Sequence, residues 1–169
     1  GGGVHNPIPE KADGGHVYAL IVHDDDGDGP LPPTLVVGGY FSIAGTAPSS
    51  HVVKWTGESW EQLGEGTEHG AVASLESFDP DGDGPALPVL YVGCGFSAAG
   101  GRDLFSPIAL WVAGAWSPIG DGRGAGFDDE IDVLLSTETV GSPGSQALYA
   151  GGRLNRAGLV ITAGVAEWD

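Results

Sequence analysis

Leu35-Val36-Val37-Gly38-Gly39 returns as Leu90-Tyr91-Val92-Gly93-Cys94 and a third time as Leu148-Tyr149-Ala150-Gly151-Gly152. An apolar run stopped by small residues and met three times marks a repeat, and a repeat constrains the architecture more than any single motif does. On either side of this run the flanks recur in the same order. Val17-Tyr18-Ala19-Leu20 matches Val72-Ala73-Ser74-Leu75, and Asp24, Asp26, Asp28 and Pro30 match Asp79, Asp81, Asp83 and Pro85. Downstream, Phe41-Ser42 matches Phe96-Ser97, and Ala44-Gly45 matches Ala99-Gly100 and Ala157-Gly158. Trp55 and Trp60 match Trp111 and Trp116, while Glu167-Trp168-Asp169 supplies the first Trp of that pair in the third copy.

A period of about 55 residues suits a supersecondary unit stacked on copies of itself. The units cover approximately residues 17–66, 72–120 and 131–169, and together make one repeat-built domain over residues 1–169. In the first unit the pattern predicts four short strands. Residues 17–23 are apolar with partial alternation, and the Asp-, Gly- and Pro-rich turn after them is one no helix tolerates. Residues 34–42 are nearly continuously apolar, as in a strand covered on both faces. Residues 51–56 and 60–63 follow, joined by the tight turn Gly57-Glu58-Ser59. No stretch sustains a helical period. The expectation is an all-β chain of four-stranded antiparallel sheets stacked radially, a β-propeller segment. Gly38-Gly39 and Gly151-Gly152 fit places where backbones come close or φ turns positive. The Trp pairs fit packing across a strand pair and against the adjoining sheet.

An apolar run ending in Gly-Gly, an aromatic on the next strand, then a turn and a Trp resemble the kelch repeat. The residues concerned are Leu35 to Gly39, Trp55 and Trp60, and again Leu90 to Cys94, Trp111 and Trp116. Units ending in W-x-G-x-x-W-x-x-L-G are also similar to repeats of secreted bacterial proteins. The resemblance implies propeller blades and an extracellular or cell-surface setting; kelch-like propellers serve as enzymes, binding platforms and scaffolds. Trp stands where the kelch repeat has Tyr on the third strand, and Cys94 stands where it has glycine. Kelch-like oxidases hold copper on Tyr and His, and no residues of this chain match those positions.

Composition narrows the function. Gly 31 and Pro 12 of 169 residues make about a quarter of the chain, a level at which disorder has to be considered. The 41% hydrophobic content argues instead for turn punctuation in a β-rich fold. Twenty-three acidic against six basic residues give a net charge of -17, which excludes an electrostatic grip on nucleic acid or anionic lipid. Apolar runs such as Ala109-Leu110-Trp111-Val112-Ala113 fall far short of the ~20 residues needed to insert across a bilayer. No charged-then-apolar leader opens the sequence, so a signal peptide is expected to be removed or to lie outside this stretch. Cys94 stands alone, which rules out an intrachain disulfide and fits a small buried residue.

The chemistry-bearing residues centre on two loops. His23-Asp24-Asp25-Asp26-Gly27-Asp28-Gly29-Pro30 and Phe78-Asp79-Pro80-Asp81-Gly82-Asp83-Gly84-Pro85 share D-x-D-x-D-G. Carboxylates at alternate positions of a turning loop can converge on one hard cation, so Asp24, Asp26, Asp28, Asp79, Asp81 and Asp83 are candidate calcium ligands. The loops also resemble those of FG-GAP-type propellers. Leu35 and Leu90 stand where an EF-hand has its bidentate Glu, which excludes that motif. An acidic β-turn shaped by Asp and Gly is the competing reading. Thr139-Val140-Gly141-Ser142-Pro143 replaces the loop in the third unit. Asp128-Asp129-Glu130 with Asp132 reads as a solvated acidic turn or a cation contact, and the five histidines form no H-x-x-x-H pair that would suit zinc.

Trp168-Asp169 falls where the earlier units continue into a turn and second Trp, and Gly1-Gly2-Gly3-Val4 resembles the tail after that Trp strand. The boundaries are therefore expected to lie inside a unit, with the neighbouring strand coming from further blades of the same chain or from other copies of it. The resulting expectation is a non-catalytic extracellular structural or assembly module belonging to a larger chain, oligomer or filament. A carbohydrate-binding propeller with glycans stacked on its Trp residues is the alternative, and a kelch-like oxidase or hydrolase ranks behind both.

Overall fold

The computed structural model describes residues 4–5, 15–27, 29–68, 70–79, 86–95, 98–103, 107–119, 127–138 and 146–168. All regular structure in it is antiparallel sheet, and no described helix is long and apolar enough to cross a membrane. Each repeat forms a meander in which strands pair in chain order. In unit 1 these are His16–His23, Thr34–Tyr40, Val52–Trp55 and Trp60–Gln62; in unit 2, Val72–Phe78, Val89–Cys94, Ile108–Val112 and Ala115–Pro118. In unit 3 the described strands are Ile131–Glu138, Gln146–Gly152 and Val165–Trp168. The strands of unit 1 fall within a residue or two of the bounds that its residue pattern predicts.

Two features lie beyond that reading. Each stretch between the second and third strands contains a miniature hairpin: Ile43–Ala44 with Ala47–Pro48, Ala98–Ala99 with Arg102–Asp103, and Arg156–Ala157 with Val160–Ile161. The segment leading into each unit pairs with that hairpin, through Val4–His5, Thr67–Glu68 and the bridge from Phe127 to Ala157. The recurrent Ala-Gly is therefore a turn signal. Gly45, Gly100 and Gly158 take φ of 60, 59 and 59°, a region costly for any residue with a Cβ. The second feature is a register shift near the start of each first strand, between Val17 and Ala19, opposite Gly93/Cys94, and between Ile131 and Val133. Such bulges add twist and bend the strand.

The core sits between the units. Val36, Val52 and Leu63 of unit 1 pack with Val72, Leu75, Leu90, Val92, Trp111 and Trp116 of unit 2. Phe78, Tyr91, Ile108 and Ile119 of unit 2 pack with Ile131, Leu134, Leu148 and Ala150 of unit 3. A third cluster, Val37, Phe41, Ala44 and Val53, belongs to unit 1 alone. The first strand of unit 2 lies between the first strands of units 1 and 3. Close approach explains the glycines that end the repeated apolar run. A Cβ on Gly38 would collide with Val72, and one on Gly93 would sit 2.8 Å from Ile131 Cγ2. Gly39 lies against the backbone of its own first strand at His16, and Gly152 against the backbone at Glu130, just before the first strand of unit 3.

Candidate functional site

The alternation of the first strand of unit 1 carries Ala19, Ile21 and His23 onto the face toward unit 2, and the same parity carries on to Asp25. There the structure assembles a polar cluster across the junction. His23 is buried and its Nδ1 lies 2.8 Å from Ser77 Oγ of unit 2. Asp25 Oδ1 accepts the indole N–H of Trp111, also of unit 2, at 3.0 Å, and Lys54 Nζ donates to Asp25 Oδ2 at 3.2 Å. His23 Nε2 lies 3.5 Å from Asp25 Oδ1, too long for a good hydrogen bond, and makes no other. Burial holds the imidazole pKa below its ordinary 6.5, with Lys54 adding to the effect; Asp25 and Asp24 pull the other way without cancelling it. The cluster therefore holds two units together through a neutral ring and a paired carboxylate.

At the second junction, Ser74 Oγ accepts the backbone N–H of Leu134 at 2.9 Å, and Ser136 Oγ donates to Glu76 Oε1 at 2.5 Å. Trp116 Nε1 donates to the carbonyl of Leu63 at 2.9 Å, tying unit 2 to the end of unit 1. Its ring meets Trp111 edge to face across the last hairpin, 5.3 Å between centroids, and Trp55 and Trp60 pair in a tilted arrangement at 5.1 Å. Trp111 and Trp116 are buried against unit 1, so the sheet they close on is the preceding one. Trp55 and Trp60 are only half-buried and border a cleft of about 280 Å³, which Thr46, Glu58 and Ser59 also line.

The candidate calcium ligands fall differently. Asp28, Asp81 and Asp83 lie outside the described residues, and Asp79 stands at the end of the first strand of unit 2. Asp24 and Asp26 share one turn, which their carboxylates close from within. Asp24 Oδ1 accepts the N–H of Asp26 at 3.2 Å, and Asp26 Oδ2 accepts that of Leu31 at 3.1 Å. A Cβ on Gly29 would land on the Asp26 carboxyl group and force it to move. Asp26 Oδ1 is buried without a partner, yet no three His, Cys, Asp or Glu groups among the described residues gather as a metal site. The described part of the set thus fits an Asp-closed turn and does not by itself compose a cation cage.

The acidic cluster before unit 3 is likewise engaged. Asp128 Oδ1 accepts the N–H groups of Arg156 at 2.9 Å and Asn155 at 3.0 Å, and Glu130 pairs with Arg153. Those amide donors, Arg156 foremost, hold the Asp128 carboxyl below its usual range. Comparison of the chain with models of protein families, with curated proteins and with solved structures finds no match.

Proposed function

We propose that the chain is a non-catalytic structural module of β-propeller-type blades, which works by stacking with further blades of its own kind. The observation that carries this is the equivalence of the two junctions. Unit 1 meets unit 2, and unit 2 meets unit 3, through the same strand positions, with the two larger hydrophobic clusters placed between the sheets. A core made by stacking leaves each unit dependent on its neighbours, as in repeat proteins generally. The best-defined polar cluster, His23–Asp25–Lys54–Ser77–Trp111, is consumed in joining two units. The kelch-like repeats of secreted bacterial proteins that the sequence resembles support an extracellular setting. In the first Asp-rich turn one carboxylate oxygen each of Asp24 and Asp26 accepts a backbone N–H, which supports reading the described part of that turn as closed by its own hydrogen bonds. In the glycan-binding alternative, the half-buried Trp55 and Trp60 beside Thr46, Glu58 and Ser59 would be the stacking surface. Electron microscopy of the purified protein is expected to show rings or rods of several chains. A field of isolated small particles would overturn the assembly reading.

A further inference from the structure

The pairing register sorts strand residues onto two faces of each unit. A trailing face looks to the following unit and carries Ala19, Gly38 and Val52 in unit 1, then Ser74, Gly93 and Ile108 in unit 2. Val133, Gly151 and Val165 hold those places in unit 3. A leading face looks to the preceding unit, and Leu20, Leu75 and Leu134 occupy one position on it. Leu75 and Leu134, each covered by a neighbour, are 7% and 4% exposed, whereas Leu20 is 62% exposed. The trailing face behaves the same way: Val52 and Ile108 are 0% exposed and Val165 is 64%.

On the leading face Val37 and Val53, in register with Leu20, are already buried within unit 1, so the open part there is the first strand, and neither open surface is built for water. A solvent-facing strand alternates polar residues outward, but unit 1 turns out Tyr18, Leu20 and Val22, and unit 3 turns out Val133 and Leu135. Val17 is also exposed, while its equivalents Val72 and Ile131 are fully buried against Gly38 and Gly93 of the preceding unit. In a chain of net charge -17 these mainly apolar patches, on which Glu167 stands beside Tyr149 at the rim of the unit 3 face, are where two copies meet with least repulsion.

We propose that the trailing face of unit 3 in one copy packs on the leading face of unit 1 in a second copy. The contact between chains repeats the junction that joins units within one. This inference rests on the assembly reading and goes beyond it by naming the partner, the two faces and their polarity. Because the surfaces that meet are different, the contact propagates, into a closed ring if the rotation per unit permits and a filament otherwise. The internal junctions give the pairing. Glu76 meets Ser136 inside the chain, and their equivalents are Leu135 and Val22; Ser74 meets Leu134, and theirs are Val133 and Leu20. Trp55 and Trp60 become covered, as Trp111 and Trp116 are by unit 1.

Two proteins test this, each with one introduced thiol on a Cys94→Ser background: Val22→Cys in one, Leu135→Cys in the other. A short thiol-to-thiol cross-linker is added to each alone and to their mixture. Cross-linked dimers are expected in the mixture only. Adding Leu20→Glu to the Val22→Cys protein sets a carboxylate against an apolar face and is expected to cut the yield about tenfold or more. Leu20 is exposed within its own chain, so circular dichroism should show the fold unchanged. Cross-linking of either protein alone as strongly as the mixture would mean that like faces meet, overturning the polarity while leaving assembly intact. An assembly that gives no cross-link, or that ignores Leu20→Glu, overturns the faces named. A chain that stays monomeric overturns both this inference and the assembly reading.

Discussion

His23 is a titratable ring placed where a charge is costly. Buried at the first junction, it keeps a pKa below 6.5, while in the unfolded chain it takes the ordinary value. The unfolded state therefore binds the proton more readily, and stability rises with pH across that interval. The contribution is complete above about 6.5 and is lost as pH falls through that value toward the lower folded pKa. His51, shifted the same way by burial, adds a second contribution of the same sign. Denaturant unfolding followed from neutral to mildly acidic pH should show declining stability, with a shallower decline in His23→Gln. An unchanged decline in that variant would remove His23 from the junction account. Asp25 shows what a motif reading passes over. D-x-D-x-D-G selects alternate aspartates, yet strand parity runs Ala19, Ile21, His23, Asp25, and the residue between the selected ones reaches unit 2.

At the scale of elements, the glycines separate two kinds of constraint. Gly57 sits at a hairpin tip with φ 96° and open space around it, so Gly57→Ala carries only local strain, about 1 kcal/mol. Gly38→Ala and Gly93→Ala instead drive a methyl group into Val72 and Ile131 of the next unit, a cost of about 1–3 kcal/mol each through forced repacking. Urea unfolding of the three variants orders them. If Gly38→Ala and Gly93→Ala prove milder than Gly57→Ala, the sheets do not approach as described. The main strands were legible in sequence because long apolar runs such as Leu35–Val37 and Leu90–Val92 leave few alternatives in a Gly-punctuated chain. The miniature hairpins were not, since a strand of two residues such as Ile43–Ala44 has no period to read; only the recurring Ala-Gly hinted at them. Which face of each sheet meets which neighbour was also hidden, because the bulge near Tyr18, Ala73 and Asp132 shifts the alternation partway along the strand.

For the whole molecule, assembly rests on Leu20 and Val165 standing open in positions that are closed elsewhere in the same chain. Burying a leucine side chain stabilises by roughly 1.5–3 kcal/mol, so a second copy covering Tyr18, Leu20, Val22, Val133 and Leu135 gains from several such terms at once. The opposing term is the repulsion between copies of charge -17. Salt screens that repulsion while leaving apolar contact in place. Sedimentation equilibrium over a range of concentration and ionic strength is the most direct test. The predicted result is a mass that is a multiple of 17.1 kDa, rising with added salt and falling back to the single chain in Leu20→Glu. A wild-type chain that remains at 17.1 kDa throughout, or a Leu20→Glu variant that assembles equally well, would contradict it.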